Sequence, residues 1–500
     1  AMEEREKNNV KPGIMAKPKE RPLFTKEMKK TYTILAPQLA PTHFEMLEAA
    51  CRVGGYNLEV LPAVTPRAVD EGLRYVNNDA CYPAILTIGQ MMDALKNGDY
   101  DVNNLAVLMT QTGGGCRATN YISMLKKALG EAGLDHIPVI SLNANGLEKQ
   151  PGFKMTPKVL VRFLAGISLG DALDRMLYRT RPYEVEPGSA NKMFRHYLDA
   201  GRALMENYSF GAYKKLANEM VRAFDNLPIT NEVKPRVGVV GEILVKFHPG
   251  ANNNIVDVIE DEGGEAVVPD LTDFILYCCY DDHFAANTFG RSKVKSFAKQ
   301  SVAIPLINQF RKPVTDALKK SERFEAPASI ESIAEKASQL LSLGNKMGEG
   351  WFLTGEMFEL LDSNVPNIAC LQPFACLPNH ITGRGMIKGL KKMYPEANIM
   401  SIDYDAGSSS VNQLNRIKLM LSIARKQLET TEVVTEKETN TRFNPREKIL
   451  GKAKQVRESA PVEMIGNKVK QARDADPVGA IAQKVKHVAT SSEHVQTDND

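Results

Sequence analysis

Apolar positions along the chain follow two alternating rhythms. Short apolar runs at Tyr32–Ala36, Asn57–Leu61, Leu105–Thr110 and Ile137–Leu142 predict strands. Between them, Thr42–Val53, Pro66–Tyr75, Tyr82–Lys96 and Ala118–Glu131 place apolar residues at helical spacing. The same alternation returns with strands at Arg236–Ile243, Glu265–Val268, Asn367–Gln372 and Asn398–Asp403. Its helices are expected at Ile255–Glu262, Leu271–Tyr280, Trp351–Asp362, Met386–Met393 and Val411–Gln427. Strands separated by helices at this spacing argue for parallel sheets covered on both faces. The fold class expected is therefore α/β, with two doubly wound, flavodoxin- or Rossmann-like halves.

The division of the chain follows from the same pattern. Residues 1–28 are rich in Lys, Glu and Pro and read as a flexible lead. Residues 29–154 form the first α/β domain, 155–232 a helical connection, and 233–428 the second α/β domain, with a helical insertion near 285–345. Residues 429–500 form a basic tail with a 16-residue repeat beginning at Pro445, Pro461 and Pro477. Each copy opens with Pro, which suits a first helical turn, and continues with an apolar stripe such as Ile449/Ala453/Val456. Helices of about a dozen residues are marginal alone, so the tail reads as largely disordered unless a partner or an anionic surface covers the stripe.

Composition narrows the function classes. The chain has 500 residues, 43% of them apolar and 25% charged, which is globular rather than fibrous or disordered. Its net charge of +3, from 63 basic and 60 acidic residues, leaves no nucleic-acid footprint. Apolar runs fall far short of the roughly 20 residues that span a bilayer, and no secretory signal is evident near the start, so a cytoplasmic protein is expected. Neither a dinucleotide fingerprint nor a P-loop occurs.

The seven cysteines do not read as a disulfide framework, and no C-x-x-C pair is present. Three share one context. Cys81 stands directly before the helix at Tyr82. Cys116 closes the loop TQTGGGC after the strand at Leu105–Thr110, and Cys376 follows the strand at Asn367–Gln372. Loops at the carboxyl ends of parallel strands line the ligand crevice of such folds. A helix N-terminus also favours a thiolate, and nests of backbone N–H groups suit the net negative charge of an iron–sulfur cluster. Gly114 and Gly115 would let backbone approach the sulfides. The expected cofactor is an iron–sulfur cluster, [4Fe-4S] with one iron left open, ligated by Cys81, Cys116 and Cys376. Zinc held by these cysteines with His380 is the alternative metal. Cys51, Cys278, Cys279 and Cys370 read as core residues. For proton handling, Glu242, His248 and His380 stand out beside strand ends, although any one of them could equally be a cap or a second-layer hydrogen bonder.

Six blocks carry a family resemblance: YVNNDACYPAILTIGQ, TQTGGGCRATNY, VGVVGEILVKFHPGANNN, GEGWFLTGEM, QPFACLPNHITGRGMIKGL and IDYDAGSSSVNQLNRIKLM. In this order, from about Tyr32 to Arg425, they resemble the carboxyl-terminal part of acyl-CoA dehydratase activase-related proteins. That group is akin to 2-hydroxyacyl-CoA dehydratases, benzoyl-CoA reductases and double-cubane-cluster proteins. The resemblance implies cluster ligands at Cys81, Cys116 and Cys376, and low-potential electrons delivered by a separate ATP-dependent activase. It further implies reduction or dehydration of a small substrate, which an acyl-CoA would satisfy, and a homodimer. A bridged double cubane would need three more thiolates. A non-catalytic electron-relay or scaffold subunit is the other reading. The actin-like activase module has no counterpart here, and the repeat tail lies outside the family pattern.

Overall fold

A computed structural model describes residues 21–112, 114–142, 150–288 and 299–439; of 281–283, 285–288, 299–300 and 430–439 it describes the backbone alone. The tail repeats from Pro445, Gly113 and most of the amino-terminal lead lie outside the described residues.

The strands of the first half are β1 (Thr33–Ala36), β2 (Asn57–Val60), β3 (Leu105–Thr110) and β4 (Val139–Leu142). Its helices are α1 (Pro41–Val53), α2 (Pro66–Tyr75), α3 (Tyr82–Asn97) and α4 (Tyr121–Glu131). A helical connection follows: α5 (Pro157–Thr180), α6 (Ser189–Glu206) and α7 (Phe210–Asp225). The second half holds strands β5 (Arg236–Gly241), β6 (Glu265–Val267), β7 (Asn367–Pro373) and β8 (Asn398–Tyr404). Its helices are α8 (Ile243–Phe247), α9 (Ile255–Asp261), α10 (Leu271–Thr288), α11 (Ile304–Leu318), α12 (Ile330–Ser338), α13 (Gly350–Asp362), α14 (Leu377–Thr382), α15 (Ile387–Met393) and α16 (Ser410–Thr439). Proline at the first turn starts α1, α2, α3 and α5, where its missing N–H costs nothing.

Both sheets are four-stranded and wholly parallel, and their strand orders match: β2-β1-β3-β4 and β6-β5-β7-β8. The order reverses between β1 and β3 and again between β5 and β7. These are the switch points beyond whose carboxyl ends such folds bind ligands. The expected α/β architecture with two doubly wound halves is thus the observed one.

Alternating residues send each sheet's apolar groups to opposite faces. Leu35, Val107 and Val139 pack with Ile85, Ile88, Ile122 and Leu125, whereas Ile34, Ala106 and Ile140 pack with Cys51, Tyr56 and Val159. In the second half, Val240, Ile368 and Cys370 meet Leu353, Met357 and Phe358. On the other face, Val239, Ala369 and Leu371 meet Leu244, Ile255 and Met420. Tyr82 and Leu86 of α3 join that last cluster, so a helix of the first half contributes to the core of the second. That is why α3 is buried at 13 of its 16 positions. Its amino terminus, where Cys81 stands, is thereby fixed at the junction of the halves.

Cys51 and Cys370 are core residues, as expected. Cys278 is not: it is exposed on α10, one position past the buried Leu276 and Tyr277, where the helical turn carries it off the inward face. None of the described helices is long and apolar enough to cross a membrane.

Candidate metal centre at the junction of the halves

The loops that hold Cys81, Cys116 and Cys376 meet. The Tyr82 N–H, next to Cys81, donates to the Phe374 carbonyl at 3.1 Å, two residues before Cys376. On the other side, the Gly115 N–H points at Met347 Sδ at 3.0 Å. A Cβ at Gly348 would lie 3.9 Å from Cys116 Sγ and 3.2 Å from the Pro378 ring. The 347–349 segment therefore touches the loops of both Cys116 and Cys376.

Gly114 has a left-handed φ of 77°, and a Cβ there would press on Met347 Sδ at 2.9 Å. In this structure the glycine loop closes on that thioether; Gly113 lies outside the described residues. Ala375, directly before Cys376, holds φ at 56°, which is uncommon for a residue with a Cβ. Strain of this kind persists where surrounding structure enforces it, and it clusters at functional sites.

All three thiols sit in one electrostatic arrangement. Burial raises each: Cys116 to about 12, Cys81 above its ordinary value, and Cys376 well above it. Negative charge from Glu242 adds to all three, and Glu349 adds to Cys116 and Cys376. The Cys81 thiolate itself opposes ionisation of the other two, so the sulfurs feel one another. Amides of the following helical turns pull the other way: Ala84 on Cys81, Ala118 on Cys116 and Asn379 on Cys376. The expectation that helix N-termini favour these thiolates therefore holds in direction, yet burial outweighs it. Cys81 Sγ also lies 3.1 Å from the Tyr121 hydroxyl.

Two carboxylates share the start of α8. Glu242 accepts from the Val245 N–H and Glu349 from the Ile243 N–H, each at 3.0 Å. Both are buried, and burial together with the Glu349 charge pushes Glu242 well above the carboxylate range; burial raises Glu349 also. Among the described residues neither has a cation within ion-pair distance. The neighbouring Lys246 is committed to Glu356 at 2.6 Å in a buried pair.

The remaining candidates for proton handling lie differently. His248 has no exposed surface; its Nε2 accepts from the Val64 N–H at 3.4 Å, tying the second half to the first. His380 is half-buried on α14, one turn after Cys376, whose carbonyl accepts its N–H at 3.1 Å.

No family model matches the chain, and no curated protein matches it. What the site can do rests on its own chemistry. Among the described residues, no three His, Cys, Asp or Glu side chains close on one point as the ligands of a single metal ion would. A multi-iron cluster takes each thiolate through a different iron, and so draws ligands from a wider circle. Two buried thiols, the half-buried Cys116 and two buried carboxylates with no cation paired to them form a donor set whose ionisation burial disfavours and a metal centre would favour. Fully buried polar atoms without partners stand close by in sequence: Gln372 Nε2 and Oε1, and Asn379 Oδ1. The donor set fits an iron–sulfur cluster. Gln372 and Met347 were not singled out from sequence, because only the packing of loops from separate elements brings them here.

Proposed function

We propose that this chain is the iron–sulfur component of a system resembling the 2-hydroxyacyl-CoA dehydratases and benzoyl-CoA reductases. In this reading a separate ATP-dependent activase supplies low-potential electrons, and a small substrate, such as an acyl-CoA, is reduced or dehydrated. The supporting observation is the meeting of the Cys81, Cys116 and Cys376 loops from both halves, at strand ends beside the switch points.

Cys81, Cys116 and Cys376 would hold a [4Fe-4S] cluster, singly or as part of a bridged double cubane. When bound, the cluster supplies one-electron chemistry at low potential. The residues of the chain do the rest. The Ala84, Ala118 and Asn379 amides offset negative charge on the sulfurs. Packing of α3 against both cores excludes water. Glu242, whose charge acts on all three thiols, is a buried group able to hold a proton in this region, whereas His248 serves to join the halves.

Anaerobic reconstitution with iron and sulfide, followed by metal and sulfide analysis, tests the reading. About four irons per chain are expected, in line with one cubane, and Cys116→Ala should lose most of them. A colourless protein with intact thiols and no bound iron would end the proposal. The burial of Cys81 and Cys376, 4% and 7% exposed, favours a second reading. An electron relay needs no substrate at its metal, and tight binding of the activase with no acyl-CoA binding would select it.

A further inference from the structure

The matching strand orders allow the two halves to be compared position by position. In each sheet the third strand in sequence, β3 or β7, is reached from an α-helix, α3 or α13. Cys81 is the residue directly before α3, and Glu349 the residue directly before α13. After those strands, Cys116 follows β3 and Cys376 follows β7 in the corresponding loops. The fold therefore repeats one pair of positions twice: a helix-start residue and a strand-end residue from each half. Three of the four are cysteine. The fourth is Glu349.

Its surroundings agree with that placement. Glu349 is 5% exposed. One oxygen, Oε1, accepts the Ile243 N–H at 3.0 Å, and the residue's own backbone N–H also favours the ionised group, so the carboxylate is oriented. Its neighbour Gly348 lies against Cys116 Sγ and against Pro378 in the Cys376 loop. Among the described residues no lysine, arginine or histidine pairs with it, and Lys246 is held by Glu356. The Lys246 charge still acts on it, but an ionised carboxylate buried without a paired cation is costly unless it takes up a proton or something positive arrives.

We propose that Glu349 is the fourth protein ligand of the centre held by Cys81, Cys116 and Cys376, binding through its carboxylate. This rests on the iron–sulfur reading above and adds to it the identity of the remaining ligand. An oxygen donor makes one iron chemically distinct from three thiolate-bound ones, because a carboxylate is a harder and more readily exchanged ligand than a thiolate.

The test is spectroscopic and does not depend on turnover. Wild-type protein, Glu349→Gln and Glu349→Cys are reconstituted anaerobically with ⁵⁷Fe and sulfide, then compared by iron content, circular dichroism, Mössbauer spectroscopy and electron paramagnetic resonance of the reduced form. Gln keeps an acceptor for the Ile243 N–H, so the helix start is preserved. Expected results are equal iron content, a distinct iron subsite in the wild type, its shift in Glu349→Gln, and its disappearance in Glu349→Cys, where all four irons become thiolate-bound. Unchanged spectra in both variants at equal iron content would overturn the ligand assignment alone. A wild-type protein that binds no iron would overturn the functional reading and this assignment with it. Should Glu349→Gln misfold, Glu349→Cys carries the comparison by itself.

Discussion

His248 shows how a residue chosen for its chemistry can turn out to serve the fold. Its ring sits between the halves with Nε2 facing the Val64 amide and Nδ1 buried without a partner. Burial disfavours the imidazolium and pulls its pKa down to about 4 from the ordinary 6.5. The unfolded chain thus binds more protons than the folded one between those values, so stability is retained above pH 6.5 and lost on acidification through the window. By pH 4 the loss amounts to about 3 kcal/mol. Glu260, His43 and other buried groups titrate as well, so the informative quantity is the difference from a variant. Urea unfolding of wild type and His248→Gln at pH 7 and pH 4 should show the wild type losing that much more. Parallel losses in the two proteins would mean that His248 stays neutral without cost.

At the scale of elements, α2 and α3 approach closely because glycine stands at their crossing. A Cβ at Gly89 would meet the Ala68 carbonyl and come within 2.7 and 2.9 Å of the Gly72 N and Cα. Gly89→Ala gains about 1 kcal/mol of helix propensity but overpacks a backbone contact by about 1–3 kcal/mol. The second effect should win: a lower thermal midpoint is expected by calorimetry, together with weaker iron loading because α3 positions Cys81. A midpoint equal to or above wild type would show that the helices separate freely.

The elements themselves were legible because their signals are local. Strands such as Leu105–Thr110 are continuous apolar runs, and the proline starts of α1, α2 and α3 mark helix beginnings. The places of the three cysteines in the fold were legible for the same reason, each lying in a loop between recognisable elements. A ligand role for Glu349 was not, since GEGWFLTGEM offers it only as a carboxylate able to move protons or to cap a helix, and only the matching of the two sheets pairs its position with that of Cys81. Nor does sequence disclose that burial outweighs the helix-terminal amides at Cys116, or that FILYCCY turns Cys278 outward.

At the scale of the whole molecule, residues up to Arg425 form one compact unit. Helix α3 joins the halves: Ile85 and Ile88 belong to the first core, Tyr82 and Leu86 to the second, so the two are expected to unfold together. Leu86→Ala removes a fully buried side chain and should cost about 2–5 kcal/mol. The single tryptophan, Trp351, is buried on α13 and reports on the second half alone. Its fluorescence and far-ultraviolet circular dichroism should shift together to lower denaturant in this variant. Two transitions, with only one displaced, would show that each half unfolds on its own.

Two equal frames joined in one polypeptide behave like a symmetric pair whose subunits have been welded. In a true homodimer every substitution is made twice, so a pocket on the twofold axis must carry identical groups from both sides. The fusion lifts that constraint. The helix start of one half can then carry sulfur, at Cys81, and that of the other a carboxylate, at Glu349, an inequality that two copies of a single gene product could not maintain.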